Sequence, residues 1–243
     1  ATVLMSGGGR PSWQAPAAEA AKPREGFRQS QMNFLMVVDG ERKVELHKPL
    51  PAMGGTFASS GGTIGAFDKG KDKGAVIVNQ QVWTDEAGTP AVTITGSTFA
   101  RGDGGFGGPS EGGPEPHVMP SRTPDLSLDL ETRPDQALLY RLNGDRNPLH
   151  SDPESARRSG FQRPILHGLC TYGITCRAVL QGVLDYEPDR ILSHQARFSA
   201  PVIPGDLITV DMWVDGDVIS FEARVKERNA TVIKGGKTVL RAS

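Results

Sequence analysis

The chain has 243 residues, too many for one small module, few for two full-sized independent domains and ample for a sizeable core. Its 30 glycines and 18 prolines mark much turn and loop, while 37% hydrophobic and 23% charged residues are ordinary for a folded protein and exclude wholesale disorder. Lys and Arg total 27 against 28 Asp and Glu, a net charge of −1, so no global basic field favours nucleic acid or a membrane surface.

Residues 1–30 are Gly-, Pro- and Ala-rich and read as irregular, with only Ala17–Lys22 looking helical. The opening ATVLMSGGGRPSW lacks the basic n-region and apolar run of a secretory leader. From there to Arg101 the pattern is β: residues 43–47 alternate, residues 75–83 are β-branched, and residues 91–99 follow the turn at Asp85–Gly88. A loop follows from Gly102 to about Thr123, with seven glycines between Arg101 and Glu115, and makes a natural joint between two halves. Within it GDGGFG (102–107) spells the dinucleotide fingerprint directly after a strand. The next residues, GPSEGGP, cannot start the helix whose amides would hold a pyrophosphate, so the match is read as chance. The Lys-rich run at 68–73 reads as a solvated hairpin tip or as a contact for an anionic ligand.

Beyond the joint the pattern changes. Residues 133–142 look helical, and Ser151-Asp152-Pro153-Glu154 opens a short helix that Gly160 stops. Residues 166–184 form the strongest helical pattern, with Leu169, Tyr172, Cys176, Leu180 and Leu184 on one stripe. Interrupted by His167, Arg177 and Gln181, this run is no membrane span. Cys170 and Cys176 lie six residues apart on it, about 9 Å at the helical rise, too far for a disulfide. Four strand-like runs follow, at 191–198, 207–214, 218–225 and 231–240, the last interrupted by Gly235-Gly236. One long helix followed by antiparallel strands is an α+β layout, with a single helix wrapped by a sheet.

The chemistry concentrates in GDRNPLHSDP (144–153) and GFQRPILHGLCTYG (160–173). Asp145 and His150 flank an Asn-Pro turn that can fold both side chains toward one water, a carboxylate–imidazole acid/base pair. The bland alternative is a turn-forming Asp and a satisfied polar His. His150, Asp152, His167 and Cys170 could converge on a metal, but no tight ligand pair anchors them and no metal site is expected. Gly168, at the start of the long helix, offers a backbone N–H to developing negative charge or merely eases packing.

These motifs resemble the MaoC-like, or type 2, enoyl-CoA hydratases, the hydratase part of eukaryotic multifunctional β-oxidation enzymes included. The likeness extends to RFSAPVIPG (197–205), DGE (39–41), DKG (68–70) and GGFGG (104–108), and covers roughly residues 35–241. The resemblance implies a double hot dog: an N-terminal half at 1–110 with no long core helix, a linker at 111–130 and a C-terminal half at 131–243 carrying the catalytic motif. It also implies a catalytic dyad of Asp145 and His150, an orienting Asn147, and an oxyanion hole at the Gly168 amide. Gly40, Lys69 and Phe198 fall where the family contacts CoA or the acyl chain. The implied reaction is reversible syn hydration of trans-2-enoyl-CoA to (3R)-3-hydroxyacyl-CoA by a homodimer in the peroxisome or cytoplasm. No cofactor is implied, CoA being part of the substrate. Asn143 and Asp39 depart from the family's usual Ser and His. The shortened first half implies medium-to-long acyl groups. Rival readings are a MaoC-type dehydratase working on carrier-protein thioesters and a non-catalytic acyl-thioester binder, which would need no general base.

Overall fold

The computed structural model describes residues 37–241; the irregular first 30 residues and the helical reading at 17–22 lie outside them. Two compact units part between Pro116 and His117.

The N-terminal unit is an antiparallel sheet of β1 (Val37–Leu46), β2 (Ala58–Asp68), β3 (Ala75–Thr84) and β4 (Pro90–Ala100), in the order β2-β3-β4-β1. Burial in β3 and β4 is consecutive where it is deepest, at Ile77–Val78 and Ala91–Ile94, so both faces of the sheet are covered there. Sequence patterning misses β2, whose Ser59-Ser60-Gly61-Gly62 start has little intrinsic strand preference. The partner decides: β3 supplies the ladder, and Gly61 lets it close, since a Cβ there would lie 2.3 Å from the Gln80 carbonyl oxygen. The Lys-rich run is the tip of the β2–β3 hairpin.

The C-terminal unit begins with β5 (Leu126–Glu131), which overlaps the expected linker at 111–130 and pairs with β7. Helix α1 (Gln136–Tyr140) runs into a 3-10 turn at Arg141–Asn143; a second 3-10 turn, Pro148–His150, precedes α2 (Pro153–Arg158). The long helix α3 spans Gly168–Gly182, and β6 (Ile191–Phe198), β7 (Leu207–Asp215), β8 (Val218–Val225) and β9 (Ala230–Leu240) complete the unit. The strand order is β6-β9-β8-β7-β5, all antiparallel, with α3 packed on β5 to β8.

Helix α3 departs from its expected face. It buries Cys170, Thr171, Tyr172, Thr175, Ala178 and Val179, whereas Leu169, Cys176 and Leu180 are only half-buried. A buried Thr is tolerated where its hydroxyl is satisfied: Thr175 Oγ1 donates to the Tyr172 carbonyl at 2.7 Å and sits 3.1 Å from His194 Nε2. Apolar periodicity cannot register such a pair. His194, 3% exposed on β6, also meets Thr238 Oγ1 through Nδ1 at 2.7 Å, accepts the Tyr172 hydroxyl at its carbonyl and stacks on Phe221. Gly235-Gly236 does not break β9. Gly235 takes φ +55° at an irregularity in the β6–β9 register, and a Cβ on Gly236 would lie 2.3 Å from the Phe221 ring. Both cysteines are free, and burial pushes each thiol up to about 11.

Candidate active site

The segment after α1 is folded by its own short-range chemistry. Gly144 ends the first 3-10 turn at φ +111°, a conformation that glycine adopts without a Cβ penalty. Asp145 then accepts the Asn147 backbone N–H at 3.1 Å, an Asx-type turn, and Asn147 Oδ1 in turn accepts the Leu149 N–H at 3.0 Å. Pro148 occupies the first position of the 3-10 turn that carries His150. Asn147 thus acts through the backbone: its side chain caps the turn that aims the histidine. Asp152 caps α2 by accepting the Glu154 and Ser155 N–H groups.

His150 Nδ1 lies 2.9 Å from the Ile165 carbonyl oxygen. A carbonyl only accepts, so Nδ1 carries the proton and Nε2 presents a lone pair. One ligand-type atom each of Asp145, His150 and His167 lies within 4.8 Å of the other two. Two hydrogen bonds of roughly 2.8 Å span such a gap, so a single water can bridge the Asp145 carboxylate and the His150 ring.

His167, 1% exposed, immediately precedes α3. Its ring stacks on His150 with centroids 3.8 Å apart and 28° between planes, and Tyr140 lies against it at 4.7 Å. Nε2 lies 3.3 Å from the Asp145 carbonyl oxygen, which makes it the donor, and leaves buried Nδ1 with no hydrogen-bond partner. An unmade bond of that kind costs about 1–3 kcal/mol. Burial first, then the neighbouring His150, pushes the His167 pKa down to about 4, so the ring is neutral at neutral pH. Asp145, His150 and His167 are together a cluster of three possible metal ligands. Of the four residues weighed as metal ligands, Asp152 and Cys170 lie outside this cluster, and Asp145 takes their place.

Gly168 is the first residue of α3, one of the orphan N–H donors at the positive end of its dipole. Phe198 ends β6, half-buried and opposite Ile233. Gly40 and Lys69 belong to the N-terminal unit. Gly40 is the extra residue of a bulge between Asp39 and Glu41, where a Cβ would lie 2.7 Å from Ser97 Oγ. Lys69, at the hairpin tip, donates its amine to the Ser110 carbonyl. Beside it Asp68 accepts the N–H groups of Gly70 at 2.8 Å and of Gly105 and Gly107 at 2.7 Å, which hold its carboxyl below the usual carboxylate range. The amides of the fingerprint-like GDGGFG therefore serve an internal carboxylate, and no helix follows them.

The sequence offers Asp145, Asn147, His150 and Gly168 as candidates for the site and His167 only as a possible metal ligand. The available signal was a polar residue directly before the glycine that starts α3.

An antiparallel sheet wrapped on one long helix, with an aspartate–histidine pair gathered beside that helix's first residues, defines a hot-dog protein with a candidate acid/base site. A solved Mycobacterium tuberculosis protein described as a double hotdog fold aligns over 86% of this chain and 77% of its own at TM-score 0.51 and 15% identity, a likeness of fold alone. The MaoC-like domain model matches residues 117–235. Enoyl-CoA hydratase ChsH3 of M. tuberculosis is 44% identical over 84% of this chain and 70% of its own length. Peroxisomal multifunctional enzyme type 2 of Drosophila melanogaster is 42% identical over 88% of this chain, which spans 36% of that enzyme. The crystal structure of a MaoC-like dehydratase from Phytophthora capsici superposes at TM-score 0.81 with 37% identity, over 88% of this chain and 75% of that one. The chain belongs to the MaoC-like family, and its fold is the double hot dog.

Proposed function

We propose that this protein is an R-specific 2-enoyl-CoA hydratase, a hydro-lyase of acyl-chain breakdown. The observation that carries the reading is the convergence of Asp145 and His150, within reach of one water, in a chain 44% identical to an enoyl-CoA hydratase. In this reading the water lies between the Asp145 carboxylate and His150 Nε2. As its oxygen bonds to C3 of the enoyl thioester, one of its protons passes to the dyad, and negative charge develops on the thioester oxygen. The Gly168 N–H, at the helix's positive end, stabilises that charge. The proton held at the dyad then passes to C2 on the same face, closing a syn addition whose atoms balance. Reversal is dehydration.

The remaining assignments belong to the same proposal. Gly40, Lys69 and Phe198 contact the CoA or acyl part of the substrate, Lys69 as a point charge for a polyanion. The enzyme works as a homodimer without metal or redox cofactor, in the peroxisome or cytoplasm. Among the described residues, no helix is long and apolar enough to cross a membrane.

The test adds a trans-2-enoyl-CoA to the wild type and to Asp145→Asn and His150→Gln, following loss of the enoyl absorbance. Each variant is expected to lose at least about a hundredfold in kcat. Wild-type kcat in either sinks the dyad. Because the reaction is reversible and one similar structure is a MaoC-like dehydratase, kcat/KM for CoA and carrier-protein thioesters separates breakdown from synthesis.

A further inference from the structure

We propose that His167 is a positioning residue of this reaction, holding the two members of the dyad in one mutual orientation. This rests on the hydratase reading above. Its Nε2–H points at the Asp145 carbonyl oxygen, 3.3 Å away, and so tethers the backbone from which the carboxylate projects. Its face stacks on His150 at 3.8 Å, which fixes the plane of that imidazole while the Ile165 carbonyl fixes its rotation. Its own backbone leads directly into Gly168 and the start of α3.

The cost of the arrangement argues that it is kept for more than packing. His167 Nδ1 is a buried acceptor with no hydrogen-bond partner, and an apolar ring of the same shape would remove that penalty. What an apolar ring would lose is the N–H on Asp145. The groups that face His167 are Tyr140 and Arg141 from the α1 segment, Asp145, and His150 from the second 3-10 turn. Burial and the neighbouring ring keep the His167 imidazole neutral. A neutral ring face stacked at 3.8 Å gives the His150 side of the dyad a fixed environment for the proton it takes up in the proposed reaction.

Two substitutions separate the two contacts. His167→Phe keeps a stacked ring and removes the donor; His167→Gln keeps an N–H donor and removes the ring. Both are assayed beside the wild type and Asp145→Asn with a trans-2-enoyl-CoA across pH, with folding checked by circular dichroism. Each is expected to lower kcat about tenfold to a hundredfold while KM changes about threefold or less, the range that small misplacement of reacting groups produces. His167→Gln is further expected to move the acid limb of the kcat/KM profile by about half a pH unit or more, because the ring beside His150 is gone. A fold defect that only reduces the active fraction scales that profile without moving it. Wild-type kcat in both variants, or a profile that is scaled but unmoved in His167→Gln, overturns the inference. If one variant fails to fold, the other decides by the same criteria. Wild-type protein that does not turn over the substrate overturns the hydratase reading and this inference with it. Wild-type turnover with unaffected His167 variants overturns this inference alone.

Discussion

His194 shows how one buried side chain ties helix to sheet and at what chemical cost. It is 3% exposed, with one ring nitrogen near Thr175 of α3 and the other near Thr238 of β9. Burial drives its pKa down to about 3, against an ordinary value near 6.5. The unfolded chain therefore binds a proton here that the folded chain refuses. Stability from this group is complete above pH 6.5 and drains away as pH falls toward 3. His167, held near 4 by burial, adds to the loss over the same window. At about 1.4 kcal/mol per unit, His194 alone accounts for several kcal/mol at the acid end. The wild-type Tm is expected to fall steadily as pH drops below about 6.5. His194→Gln is expected to lower the neutral-pH Tm and flatten that slope, measured by thermal circular dichroism from neutral pH to about pH 4. An unchanged slope in the variant would remove His194 as its source.

At the scale of elements, the C-terminal sheet depends on a glycine inside a strand. Gly236 of β9 lies beneath Phe221 of β8, and a Cβ there would sit 2.3 Å from Phe221 Cε2 and 2.5 Å from its carbonyl oxygen. Phe221 is fully buried and stacked on His194, so the ring has nowhere to retreat. Gly236→Ala is expected to cost about 3 kcal/mol, the upper part of the overpacking range, whereas Gly216→Ala has open space and meets only the strain of its φ of +64°. Chemical denaturation of the two variants compares them directly. The Gly235-Gly236 pair was visible in the sequence as an interruption. Only the register with β6 and β8 reveals that it keeps the strand continuous.

For the whole molecule, the described residues divide into two compact units that carry different candidate residues. The C-terminal unit carries Asp145, His150, His167 and Gly168; the N-terminal unit carries Gly40 and Lys69. Among the described residues the N-terminal unit has no helix, and with the family resemblance this motivates the proposal that the substrates are medium-to-long acyl chains. Each buried CH₂ is worth about 0.8 kcal/mol, so lengthening the chain by two carbons raises kcat/KM by about tenfold wherever the added carbons are buried. A panel of trans-2-enoyl-CoA substrates is expected to rise in this way above the four-carbon compound. A panel in which the four-carbon compound is best overturns the preference.

What the sequence determined by itself was local: the β-branched strands β3 and β4, the helix that became α3, the four C-terminal strands, and a candidate motif whose turn is made by Asp145, Asn147 and Pro148. Each of these is encoded within a few residues, by side-chain periodicity, a cap or a fixed φ. The tertiary structure alone decided what depends on partners distant in the chain. Strand β2 forms because β3 offers a ladder to glycines and serines with little preference of their own. The buried face of α3 includes Thr175 because His194 and the Tyr172 carbonyl satisfy its hydroxyl. The glycine-rich GDGGFG closes on Asp68 instead of a phosphate, and His167 comes to lie against His150, 17 positions earlier in the chain, because the segment between them folds back at Ile165. A sequence pattern records what each residue prefers; which preferences win is settled by the partners that folding supplies.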